Sequence, residues 1–210
     1  MKRILPIVEG DGDTTAVPAL VRRIAEARGI YDLQLLPAHK RGELPAVWRH
    51  FDAYLGAALK HEAPILWVMD YDCDQCHAVE DDLADLLQRA RNTYKRQPVE
   101  FALMVKEFES LFLCDHESTC QVFPDIPAKT AWPADAEVVR GAKEWISKAR
   151  PKGLAYKETV HQVKLVHQLD LDRLRQRSSS FQRFEQAVLR LLDKSENKLS
   201  LGSVGMQGET

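Results

Sequence analysis

Residues 63–72 read APILWVMDYD, an unbroken apolar run that stops on Asp70 and Asp72. A run this short, with no polar alternation, is what a strand buried on both faces of a parallel sheet requires. Two carboxylates at its end are not core material. In an open parallel sheet, ligands bind beyond the carboxyl ends of the strands. This one stretch therefore predicts both an architecture and the edge where a site would form.

Working outward, the chain repeats such strands and alternates them with helices. RILPIVEG (3–10) is another apolar run, ending at Glu9-Gly10. A helix follows: Asp13, Thr14 or Thr15 can cap it, Val17, Leu20, Val21 and Ile24 share a face, and Gly29 ends it. YDLQLLPA (31–38) reads as a strand, and Leu44, Val47, Phe51, Leu55 and Leu59 mark a helix at three- and four-residue spacing. Beyond the opening stretch, Val79, Leu83, Leu86 and Leu87 give another helix. VEFALMV (99–105) is a fourth strand, and KEFESLFLCD starts a further helix. The expected fold class is α/β: a Rossmannoid parallel sheet of about four strands flanked by helices, with an α-helical C-terminal extension.

After Asp115 the pattern changes. Pro124, Pro127 and Pro133 mark a connector at 123–137, between a metal-binding domain at 1–122 and a basic helical extension at 138–194. Helices are expected near Val138–Ala149, Glu158–Leu169 and Phe181–Leu192. The tail, 195–210, has little to bury and is expected to be disordered.

The composition, 45% hydrophobic and 29% charged, is that of a globular chain. The apolar run of MKRILPIVEG is too short for a signal peptide and no later run approaches a membrane span, so a cytoplasmic location without a membrane partner is expected. The formal net charge of −2 hides an asymmetry: residues 1–137 carry 15 basic and 23 acidic side chains, and residues 138–190 carry 12 and 5. An acidic front and basic back suit a metal-dependent enzyme acting on a polyanion, although solvated helix faces would give the same count.

The acids at strand ends carry the chemistry. Glu9 ends the first strand, Asp70 ends the third, Asp72 lies just beyond it, and Glu107 and Glu109 follow the fourth. If those strands are neighbours, five carboxylates meet at one edge and repel unless they share a cation. Hard oxygen donors suit one or two Mg²⁺ or Mn²⁺ ions, which favour phosphoryl chemistry. Gly10 and Gly12 leave the first turn open for backbone N–H groups to approach a phosphate. In the basic region Lys152, Arg177 and Arg183 are candidate nucleic-acid contacts, and RQRSSSFQRF (175–184) is a candidate anion site at a helix start.

Taken together, IVEGDGDTTAVPALV and ILWVMDYDCD resemble the Toprim (topoisomerase–primase) superfamily, in which a Glu-Gly follows the first strand and an Asp-x-Asp follows the third. The resemblance covers roughly residues 3–115. KEFESLFLCD, AYKETVHQ and SSSFQRF look like a narrower group, small stand-alone Toprim-like proteins similar to the nuclease part of OLD-type ATP-dependent defence systems. The resemblance implies Glu9 as general acid/base or metal ligand, Asp70 and Asp72 as metal ligands, and Glu107 or Glu109 as a further ligand. It also implies that Lys157 steadies phosphate charge. It further implies a nuclease, acting on DNA more readily than RNA, as effector partner of an ABC- or SMC-like ATPase in anti-phage or plasmid defence. The chain departs from the family where Cys73, Asp74 and Gln75 follow the Asp-x-Asp, a place where a Gly is common.

Two other classes remain open: a non-catalytic Toprim-shaped subunit of such a complex, and an Asp-based phosphohydrolase. The latter usually places its Asp-x-Asp after the first strand, which here ends in Glu9. Cys73, Cys76 and His77 spell a haem-attachment string, but attachment requires export, so no haem is expected. With Cys114 and Cys120 the same cysteines could supply zinc ligands, yet the second pair is too widely spaced for a knuckle, which weighs against zinc. Homo-oligomerisation is left open.

Overall fold

A computed structural model describes residues 1–72, 78–93 and 97–202. Five parallel strands form one sheet: β1 (Lys2–Val8), β2 (Leu33–Leu35), β3 (His39–Lys40), β4 (Ile65–Tyr71) and β5 (Val99–Val105), in the order β2-β1-β4-β5. β3, a strand too short to read from sequence, pairs with β1 at Ile7 and Val8, beyond the stretch at Lys2–Ile4 that pairs with β2. The helices α1 (Asp13–Ala27), α2 (Leu44–Leu59) and α3 (Val79–Thr93) connect them. Each apolar strand is buried on both faces, as its lack of alternation requires.

Successive residues divide between two cores. Ile4, Val8, Leu66, Val68, Ala102 and Met104 face one side. Leu5, Ile7, Ile65, Trp67, Met69, Phe101 and Leu103 face the other, against Leu44, Val47, Phe51 and Leu55 of α2 and Leu86 of α3. Phe51, Trp67 and Phe101 stack there, with ring centroids 5.7–6.0 Å apart. The first face is covered by α1 and by the helical C-terminal region, whose Phe181, Phe184, Val188 and Leu191 pack in the same core as Ile4 and Met104.

That region holds α4 (Ser110–Cys114), α5 (His116–Val122), α6 (Ala142–Ala149), α7 (Glu158–Gln168), α8 (Leu171–Arg177) and α9 (Ser179–Gly202). Asp115, fully buried, breaks α4 from α5; it accepts from the Ser118 and Asp170 amides and pairs with Arg173. α6 starts at Ala142 rather than near Val138, because Gly141 takes a left-handed turn (φ 76°) immediately before it. α8 is a short helix that the apolar spacing did not reveal. α9 continues from Ser195 to Gly202, so the expected disordered tail begins as helix. Among the described residues no helix is long and apolar enough to cross a membrane.

Candidate active site at the carboxyl edge of the sheet

Val8 of β1 lies opposite Val68 of β4, so Glu9, one residue past Val8, and Asp70, two past Val68, both emerge at the carboxyl edge. The Asp70 amide donates to Glu9 Oε2 at 3.2 Å. The Phe108 amide, from the turn after β5, donates to Asp70 Oδ1 at 2.8 Å. A cavity of about 320 Å³ opens here, lined by Glu9, Asp70, Asp72, Lys106, Glu107 and Lys143, with Glu43, Leu44 and Pro45 at the start of α2. Of the five acids expected at one edge, Glu9, Asp70, Asp72 and Glu107 line this cavity and Glu109 does not.

The electrostatics are those of crowded acids. Burial, with Asp13 and Glu43 nearby, pushes the Glu9 carboxyl up to about 7 against the opposing hydrogen bond from Asp70. Asp70 rises well above the carboxylate range through burial and then through Glu9, Glu109 and Asp13. Glu109 lies beneath the cavity, 1% exposed, and burial lifts it to about 8. Its Oε1 accepts from Tyr156 Oη at 3.0 Å, while its Oε2 is buried without a hydrogen-bond partner among the described residues. Lys143 Nζ lies 3.8 Å from Glu109 Oε1 and 3.0 Å from Glu158 Oε2. Burial alone would lower the lysine, but Glu109 and Glu158 raise it, so it remains an ammonium among carboxylates.

The other acids are engaged differently. Asp72 Oδ1 accepts from Lys106 Nζ at 3.0 Å and Arg140 Nη2 at 2.7 Å. Burial works against its ionisation, yet these two cations hold it below the usual range. Glu107 accepts from the Gly141 and Lys143 amides at 3.1 and 3.4 Å, anchoring the start of α6. Among the described residues no three His, Cys, Asp or Glu side chains stand arranged as a cage for an ion. In donor chemistry the site nonetheless matches a hard divalent cation: all its ligating atoms are carboxylate oxygens, and Glu9 and Asp70 are adjacent and desolvated. Those two are the residues that could hold such an ion, with Asp72 a third on release from its cations.

Several sequence expectations need correction. Gly10 does not offer its N–H to a phosphate; that amide donates to Asp13 Oδ2 at 2.9 Å. Gly12 is glycine for packing, since a Cβ there would lie 2.1 Å from Gln162 Oε1 and 3.0 Å from Glu158 Cβ on α7. Asp13, read only as a cap, ties α1 to α7 through Gln162 Nε2 at 2.7 Å and adds its charge to the cluster. Lys157 is exposed and lies outside the acidic cavity, lining a neighbouring cavity of about 490 Å³ that shares Lys143.

Lys152 is also exposed and lines neither cavity. Arg177 is paired with Glu117, and Arg183 approaches Glu80 and Ser180. The serine run at the start of α9 already holds an anion, Glu137, which accepts from Ser178 Oγ, Ser179 Oγ and the Ser180 amide. Arg150, Arg173, Arg175 and Arg190 are likewise paired with acids of the chain. A basic count cannot distinguish such internal partners from a nucleic-acid surface.

Of the cysteines, Cys114 is buried and its thiol is pushed up to about 12, and Cys120 is half-buried. The haem and zinc readings of Cys73, Cys76 and His77 lie outside the described residues. Lys106 and Arg140 were missed because a search of strand ends for ligands selects acids and passes over the cations that balance them.

The family model described as "Domain of unknown function (DUF4276)" matches residues 8–189, and the chain belongs to that family. That span takes in every strand-end acid of the cavity and the cations facing them. Neither a curated protein nor a solved structure gave a significant match.

Proposed function

We propose that this member of the DUF4276 family is a divalent-metal-dependent phosphodiesterase acting on nucleic acid, a nuclease of Toprim type. The supporting observation is the pairing of Glu9 with Asp70 at adjacent strand ends, where burial drives both carboxyls upward and the charge of Glu9 raises Asp70 further. Such an arrangement costs stability, and a shared cation reverses that cost. Glu9 and Asp70 would hold the ion, joined by Asp72. A divalent cation there supplies Lewis-acid polarisation of a phosphoryl oxygen.

The chain's own side chains account for the rest. Lys106 and Lys143 set positive charge on the cavity wall, where a phosphate's oxygens would lie. Leu44 and Pro45 give the same cavity an apolar flank that limits water. Glu9 accepts the Asp70 amide on Oε2, and as a carboxylate beside the ion it is placed to take a proton from an attacking water.

The test is cleavage of plasmid DNA, single-stranded DNA and RNA in Mg²⁺ or Mn²⁺ by the wild type, Glu9→Gln and Asp70→Asn. Metal-dependent cleavage that drops by about 10²-fold or more in both variants is expected. Cleavage that survives both would remove these residues from the mechanism. A second reading, a non-catalytic subunit of an ATPase complex, draws on the internal cations: Lys143 already sits among the acids, and Asp72 is already doubly paired. It would be favoured by an absence of cleavage on every substrate, with or without an ATPase partner.

A further inference from the structure

Lys106 is one of two non-glycine residues with a left-handed backbone among those described, at φ 65°. It follows β5 directly, its amide donates to the Tyr71 carbonyl at 3.1 Å, and its side chain lines the acidic cavity. Glycine would take this backbone without cost, whereas a side chain with a Cβ is disfavoured there. Strained residues of this kind gather at functional sites, where the side chain is what the position retains.

Its ammonium does not act alone. Lys106 Nζ and Arg140 Nη2 converge on the same oxygen, Asp72 Oδ1, at 3.0 and 2.7 Å. Lys106 comes from the β5 turn and Arg140 from the residue before the Gly141 turn, so two distant segments meet at one acceptor. One oxygen receiving an ammonium and a guanidinium is the environment that a non-bridging phosphate oxygen finds in a phosphate site. The side chains of Lys106 and Arg140 are 30% and 65% exposed, within reach of a ligand, and partly exposed ion pairs exchange partners at small cost.

We infer that Lys106 and Arg140 form the phosphate-binding pair for a nucleic-acid strand entering the acidic cavity, and that Asp72 occupies the pair when no strand is bound. The inference rests on the phosphodiesterase reading and adds to it the substrate contact and an internal competitor. Turning Asp72 toward a cation withdraws the carboxylate that both side chains hold, which couples metal and strand binding through that one group.

The test needs neither metal nor turnover. The full chain in EDTA is titrated with a short fluorescein-labelled oligothymidylate, and anisotropy is read over a salt series. Asp72→Asn should bind more tightly than the wild type, and Lys106→Gln about tenfold more weakly. The log affinity–log salt slope of Lys106→Gln should be shallower by about 0.7, the loss of one contact on a single strand. The gain from Asp72→Asn should vanish in the Lys106→Gln background, a coupling that general charge repulsion would not produce. Lys106→Gly should melt roughly 2–4 °C above Lys106→Ala, since only glycine relieves the left-handed backbone.

No binding by Asp72→Asn, equal gains in both backgrounds, or an alanine variant as stable as the glycine one would overturn the inference. Metal-dependent cleavage could survive any of these results. Its loss, with the binding cycle intact, would remove the hydrolase reading and leave the phosphate pair standing.

Discussion

Asp70 is where the account is most exposed to test at the scale of a residue. Glu9, Asp70 and Glu109 all bind protons more tightly in the folded chain than in the unfolded one, for the same first cause, burial. A carboxyl raised in this way contributes stability below its ordinary value of about 4.5, and that contribution is lost as pH rises through the folded value, about 7 for Glu9 and about 8 for Glu109. The metal-free protein should therefore lose stability between pH 5 and pH 8, by on the order of 2–3 kcal/mol from Glu9 alone. Urea unfolding across that range measures it. Asp70→Asn keeps an oxygen for the Phe108 amide but removes a charge from the cluster. It should raise the pH 8 midpoint and flatten the slope, and an unchanged profile would mean that the acids do not strain one another. Divalent cations should stabilise the wild type more at pH 8 than at pH 5, because they bind the ionised carboxylates.

At the scale of an element, two structures carry predictions. The ring stack under β4 makes Trp67 its central member, yet Trp67 Nε1 is buried without a partner among the described residues. Trp67→Ala should cost about 3–5 kcal/mol, while Trp67→Phe, which keeps a ring and removes the orphan donor, should cost under about 1.5 kcal/mol. At the start of α9, Glu137→Ala removes the acceptor for two serine hydroxyls and one amide and should cost about 1–2 kcal/mol in denaturant unfolding. A null effect would show that the connector does not hold this helix. These elements also show what sequence periodicity can convey. The long apolar runs marked β1, β4 and β5 because each is buried on both faces. The two-residue β3 and the seven-residue α8 offered no period to detect. The serines of α9 were recognised as an anion site, but the anion proved to come from the chain itself, a long-range pairing that local sequence cannot carry.

At the scale of the whole molecule, the sheet order makes the site: β1 beside β4 beside β5 brings Glu9, Asp70 and the 106–109 turn to one edge from three distant stretches. The acids of that edge were legible, since strand ends in a parallel sheet are where ligands bind. The balancing cations were not, because Arg140 and Lys143 arrive from the helical region across a connector whose path no local pattern dictates. The same region that appeared as a basic back therefore divides in two. Many of its arginines bind acids within the fold, and a few of its cations turn back toward the acidic cavity. The central claim is that this cavity holds a divalent cation between Glu9 and Asp70, and calorimetric titration of Mn²⁺ into the full chain at neutral pH tests it most directly. The account predicts saturable binding with proton release in the wild type, lost in Asp70→Asn and Glu9→Gln. No binding, or binding unchanged in both variants, would contradict it.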